Sequence, residues 1–327
     1  MKRTLLSVFG LSIALACGAI FGALMQRSHF ARQQGRPLTG QTNLSPAANL
    51  SGTSASTTAG EPTIPPRLQG RLKLYVLVGQ SNIAGRADIP TDIQPSANIF
   101  LFGNDYRWKT AQPPLDSSVN QVDLISADTE AGFGPAFTFA QTLISQNNNQ
   151  IIGLIPCAKA DSSITDWGKS PSDETLYGSC LKRIRAASPM GTVSGILFFQ
   201  GEADAVDAAQ FPNLTPDASA WAEKFATFAY NFRADIGNPT IPLVFAQLGQ
   251  PDSFENLPNW NEIQQQQEQI QIPNGAMIAT KDLPMDGIHF TADSYKVIGQ
   301  RFADTMTLLQ NAIGTAGEGA LPNTATQ

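Results

Sequence analysis

Histidine, cysteine and basic charge are all in short supply in this 327-residue chain. There are only two histidines and three cysteines. His29 falls in a stretch, residues 26–68, nearly devoid of large apolar side chains, so any imidazole chemistry in a folded unit has to use His289. Against 27 Asp and Glu there are 21 Lys and Arg, a net charge of −6. That balance offers phosphates no broad cationic surface and excludes nucleic acid as a partner. Six of the basic residues and a single acid, Glu61, fall before position 69, leaving 15 basic and 26 acidic side chains for the rest. An acidic body behind a basic tail suits a secreted or surface domain that meets neutral sugars or small molecules. No internal repeat is visible. What is present, 42% hydrophobic and 8% aromatic residues, supplies a sizeable core and excludes wholesale disorder.

One long apolar run stands out, from Thr4 to Met25 behind Lys2 and Arg3. Its 22 residues exceed a usual signal-peptide core and suffice to span a bilayer. Residues 1–25 are therefore a signal peptide or an uncleaved signal anchor, with Ala14-Leu15-Ala16 a candidate cleavage site and Arg27, Arg32 and Arg36 favouring the anchor. Either reading places the remainder outside the cytoplasm, in contact with a membrane only through this segment. Residues 26–68, rich in Ser, Thr, Gly and Pro, bury too little to offset the entropy of ordering and read as a flexible linker. Residues 314–327 have the same composition and read as a disordered tail.

Between them, residues 69–313 alternate two patterns. Short apolar runs at 72–78, 98–102, 151–155, 193–199, 241–247 and 276–280 read as strands buried on both faces. Amphipathic stretches at 135–146, 175–187, 218–236, 259–270 and 291–313 read as helices. The alternation predicts a single α/β domain with a mainly parallel sheet covered by helices, and ligands at the carboxyl ends of its strands.

The chemistry-bearing residues fall at those ends. LYVLV runs into Gly79-Gln80-Ser81-Asn82, which alone is only a good loop or helix-capping sequence. Asp286-Gly287-Ile288-His289 precedes the last helix. A carboxylate three residues before an imidazole can hold the ring in one tautomer while it accepts a proton from a serine hydroxyl. SGILFF runs into Gln200-Gly201-Glu202-Ala203-Asp204, whose Gln200 amide suits an oxyanion. Glu202 and Asp204 form an ordinary loop feature, and no metal site is read from them. Gly132-Phe133-Gly134-Pro135 opens a helix, where free backbone amides also suit an oxyanion.

With strand-GQSN, GFGP, strand-QGEAD and a late DGIH in this order, the chain resembles the SGNH hydrolases, specifically the sialate O-acetylesterase-domain group that includes carbohydrate esterase family six. IGLIPCA at 152–158 and the Trp167 region look alike too. The resemblance implies a flavodoxin-like three-layer α/β/α sandwich and hydrolysis of acetyl or other short acyl esters of carbohydrate, with no cofactor. It implies Ser81 as nucleophile, His289 as base and Asp286 as its orienting acid. The amides of Ser81 and Gly134 and the side chain of Gln200, where SGNH proteins generally have Asn, would form the oxyanion hole. Gln80, Asn82 and Glu202 are expected to touch substrate. Two departures, Lys159-Ala160-Asp161-Ser162-Ser163 after PCA and Phe199 where a His often precedes QGE, leave the choice among sialic acid, xylan and other acetylated glycans open. The same triad could instead acetylate a sugar hydroxyl, or the fold could serve as a noncatalytic glycan-binding module. Cys157 and Cys180, the only cysteines of the folded unit, are either a disulfide or two buried thiols.

Overall fold

A computed structural model of the protein describes residues 64–123 and 128–318. The apolar run at 4–25, the linker up to residue 63 and the chain after 318 lie outside the described residues. No helix among the described residues is long and apolar enough to cross a membrane.

The sheet has seven strands: β1 (Leu72–Gly79), β2 (Ile99–Phe102), β3 (Trp108–Thr110), β4 (Ile152–Ala158), β5 (Gly191–Phe199), β6 (Leu243–Ala246) and β7 (Gly275–Ile278). Their spatial order is β3-β2-β4-β1-β5-β6-β7. All pairings are parallel except β2–β3. The helices are α1 (Ser81–Ala84), α2 (Pro135–Gln146), α3 (Leu176–Ala187), α4 (Trp221–Ile236), α5 (Trp260–Gln269) and α6 (Ala292–Glu318). A separate hairpin pairs β8 (Met285–Asp286) with β9 (His289–Phe290).

Alternate residues of β1 point to opposite faces, as the period of a strand requires. Leu74, Val76 and Val78 enter the core that receives α3, α4 and α5, whereas Tyr75 and Leu77 enter the one under α2 and α6. Helix α4 shows why its sequence is helical: Trp221, Phe225, Phe228 and Phe232 recur on one buried face. Their rings pack on each other and on Phe198 of β5 at centroid distances of 4.6–5.4 Å. Burying each such side chain contributes roughly 1.5–3 kcal/mol. Two cores on the faces of one sheet make the three-layer sandwich expected from the sequence.

The folded unit exceeds the expected bounds at both ends. Ile64 and Leu68 are buried in the α3–α5 core, and α6 continues five residues beyond Ile313. The antiparallel β3 and the β8–β9 hairpin had no counterpart among the strand-like runs, being two or three residues long.

Of the two readings left open for the cysteines, the structure has the disulfide. Cys157 of β4 and Cys180 of α3 are bonded across a sequence separation of 23, with Cα atoms 5.5 Å apart. A loop of that size is worth roughly 3 kcal/mol in the chain-entropy model. Reduction, or the Cys157→Ala/Cys180→Ala double variant, should lower the stability measured by urea unfolding by about that amount. An unchanged unfolding midpoint would contradict this contribution.

Candidate active site

The site lies where chain connections leave the sheet in opposite directions: β1 leads toward β2 on one side, β5 toward β6 on the other. Such a switch point opens a crevice at the strand ends. The last residues of β1 and β5 are in register, Gly79 beside Phe199. Gly79 adopts φ 136°, and a Cβ there would stand 2.0 Å from the Phe199 carbonyl oxygen. Only glycine fits, and the chain turns at once into Gln80 and Ser81.

Ser81 opens the four-residue α1, and the α2 N-cap Gly134 packs against the turn that ends it. A Cβ on Gly134 would lie 2.7 Å from Gly85 Cα. As the first residue of α1 and the N-cap of α2, Ser81 and Gly134 have backbone amides that intrahelical bonding does not use.

His289 comes from the hairpin. Its Nε2 lies 2.9 Å from Ser81 Oγ, a hydrogen bond between residues 208 positions apart. Asp286 is the cross-strand partner of His289, so both side chains leave the same face of the hairpin. Asp286 is exposed on that face. The hairpin is also held through its backbone. Gly287 N donates to Asp252 Oδ2 at 2.8 Å, Ser294 Oγ donates to the Pro284 carbonyl at 2.7 Å, and Asn82 Nδ2 donates to the Ile288 carbonyl at 3.1 Å. Phe290 packs on Phe199 and on Tyr295.

Gln200 is not the oxyanion donor expected from the sequence. Its side chain is fully buried, with Nε2 donating to Asp204 Oδ2 at 2.5 Å and to the Ser162 carbonyl at 3.0 Å, and lying 3.3 Å from Gln80 Oε1. Its Oε1 accepts from Trp221 Nε1 at 2.9 Å. The amide is spent on the protein. Asp204 also accepts from the Ile164 and Asp217 amides, and burial pushes its carboxyl up to about 6.

Gln80, Asn82 and Glu202 are likewise turned into the protein. They are 2%, 0% and 2% accessible, and each bonds within the protein. Gln80 Oε1 accepts from the Ala203 amide, while Asn82 Nδ2 donates to Glu202 Oε1. Tyr295 OH donates to Asn82 Oδ1 at 2.6 Å. Tyr295 and Asp252 are parts of this site that the sequence did not single out, and Ser162 belongs to the 159–163 segment marked there as a departure. Tyr295 sits at a core spacing on α6, and nothing in the sequence marks its hydroxyl.

No group of His, Cys, Asp or Glu among the described residues is arranged to hold a metal ion.

With this geometry in place, the comparisons are direct. The family described as carbohydrate esterase, sialic acid-specific acetylesterase matches residues 71–308. The chain belongs to this family. It is therefore a carbohydrate esterase, a carboxylic ester hydrolase. A probable carbohydrate esterase of Arabidopsis thaliana is 25% identical over 251 residues, 71% of this chain and 88% of that protein. An Arabidopsis thaliana structure superposes with a TM-score of 0.61 at 22% identity, covering 72% of this chain and 98% of the other. The structure of NanS gives 0.54 at 16% identity, over 75% and 99% of the two chains. A carbohydrate acetylesterase from Xanthomonas citri gives 0.54 at 19%, over 73% and 57%. At these identities the superpositions show a shared fold.

Removing the Gln200 amide separates the two roles considered for it. Gln200→Ala strands partners of a buried network and should lower stability by about 1–3 kcal/mol for each group left unsatisfied, measured by urea unfolding. A variant as stable as the wild type whose turnover falls 100-fold or more would restore the oxyanion assignment.

Proposed function

We propose that this esterase removes acetyl or other short acyl groups from carbohydrate hydroxyls by two-step acyl transfer, with Ser81 as nucleophile and His289 as general base. The observation that carries the reading is the 2.9 Å contact between Ser81 Oγ and His289 Nε2 at the mouth of the sheet. To take the Ser81 proton, Nε2 must be the unprotonated ring nitrogen and Nδ1 the protonated one. Ser81 Oγ then bonds to the ester carbon and its proton passes to Nε2. The carbonyl oxygen takes the negative charge, which the Ser81 and Gly134 amides stabilise. Collapse of this intermediate breaks the bond to the sugar oxygen, which leaves with the proton from His289. Water, deprotonated by the same ring, attacks the acyl-Ser81 ester; the bond to Ser81 Oγ breaks, the acid leaves, and His289 returns the proton to Oγ. Asp286, the cross-strand partner of His289 on the same hairpin face, places a negative charge beside the imidazolium.

The Cys157–Cys180 bridge supports an oxidising compartment outside the cytoplasm. It agrees with an export segment or membrane anchor at residues 4–25.

The test is acetate release from p-nitrophenyl acetate and from acetylated sugars. Ser81→Ala and His289→Ala, each verified as folded, should lower kcat by at least about a thousandfold. Release of acetate at the wild-type rate by Ser81→Ala would overturn the mechanism. Turnover that appears only when a sugar acceptor is added would assign a transferase.

A further inference from the structure

His289 is carried by a two-residue strand, so its reach to Ser81 depends on what holds the backbone of the hairpin. Of the backbone anchors of the hairpin, the one beside the nucleophile comes from Asn82, the residue after Ser81. Its amide has no rotational freedom. Tyr295 OH occupies Oδ1, and the two Nδ2 hydrogens go to the Ile288 carbonyl at 3.1 Å and to Glu202 Oε1 at 2.5 Å. Ile288 immediately precedes His289. A continuous chain of hydrogen bonds therefore runs from Glu202, past β5, through Asn82 to the backbone that carries the base.

Glu202 is an expensive residue to keep in this place. It is buried to 2% accessibility, and among the described residues its Oε2 has no hydrogen-bond partner. A buried carboxyl in that condition destabilises the fold unless something compensates it. As an acceptor from Asn82 it is stronger than a neutral amide would be, because a bond to an ionised oxygen is charge-assisted.

Resting on the esterase reading above, we propose that Asn82 and Glu202 are positioning residues that act as one brace: Glu202 fixes the Asn82 amide, and Asn82 fixes the Ile288 carbonyl, so that His289 Nε2 is held within reach of Ser81 Oγ. Neither touches substrate. The brace acts on the chemical step, since a base displaced by about 1 Å can cost roughly a hundredfold in rate.

The brace also responds to pH. Burial pushes the Glu202 carboxyl up to about 7, opposed by the Asn82 bond and reinforced by the charge of Asp204. The titratable groups that face it are Asp204 on its own turn, Tyr295 on α6 and, across Asn82, His289 on the hairpin. As pH falls through about 7 the carboxylate is neutralised and its pull on Asn82 weakens, while His289 must also be neutral to act as base. The acidic limb of kcat therefore carries two protons.

Steady-state turnover of p-nitrophenyl acetate by the full chain, measured across pH for wild type, Glu202→Ala, Glu202→Gln, Asn82→Ala and the double alanine variant, tests this, with folding followed by circular dichroism and melting. Glu202→Ala and Asn82→Ala should each lower kcat by about 10- to 100-fold with KM within about twofold. The double variant should fall little further than the worse single one, because the two residues act as a unit. Glu202→Gln keeps an acceptor oxygen for Asn82. Lacking the charge, it should recover only part of the loss at about pH 8 and shorten the acidic limb to one proton. The brace is overturned by wild-type kcat in Glu202→Ala, by a loss carried in KM, by additive losses, or by Glu202→Gln falling as far as alanine. Should Glu202→Ala not fold, Glu202→Gln and Asn82→Ala decide alone: an unchanged two-proton limb in the first, or wild-type kcat in the second, overturns it. Undiminished turnover by Ser81→Ala in the same assay would instead overturn the esterase reading, so the two failures are distinct.

Discussion

The close approach of β1 and β5 at their carboxyl ends governs the rest of the site. With Gly79 against the Phe199 carbonyl, the two strands end side by side with no side chain between them. Ser81 and Glu202, 121 residues apart in sequence, then emerge within one hydrogen-bonded layer joined by Asn82. A larger residue at 79 would part the strand ends and with them the serine, the Gln80–Gln200 contact and the anchor for the histidine hairpin. The parallel sheet makes this possible because each strand delivers its following loop to the same edge.

The layer beneath Ser81 is polar and buried. Gln80, Gln200, Asp204, Ser162 and Trp221 satisfy one another, and Asp204 ties in the backbone at 164 and 217. Such networks order a site at a high cost if any member is removed. The two departures from the family pattern belong to this architecture. The segment after β4 gives Gln200 an acceptor through the Ser162 carbonyl, and its Lys159 amide bonds the Gly79 carbonyl. Phe199, where histidine is common, packs its ring 5.8 Å from Phe290, the residue after His289. An apolar side chain there steadies the hairpin from below.

Much of the fold was legible because buried parallel strands are continuous apolar runs and the helices are long and amphipathic. Helices at 135–146 and 175–187 were read within a residue of their observed bounds; histidine scarcity pointed to His289, and Ser81 was singled out by the family resemblance. What could not be read depends on where side chains turn. Gln200 at a strand end looks equally suited to a ligand or to a neighbour, and its inward turn is set by the nearby Asp204 together with Ser162 and Trp221, which only the folded chain brings to it. Gln80, Asn82 and Glu202 belong to the same class. Ile64 and Leu68 join the core although their Pro-rich surroundings resemble a linker, because two apolar side chains in a polar stretch carry no periodicity.

The central claim is that Ser81 carries the acyl group between the two half-reactions. It is tested most directly by acid-quenching the enzyme during turnover of an acetyl ester and mapping the acetylated peptide by mass spectrometry. The account predicts acetyl on Ser81 in the wild type, accumulating while substrate lasts. Acetyl on another side chain, or turnover with no acyl-enzyme at any quench time, would contradict it.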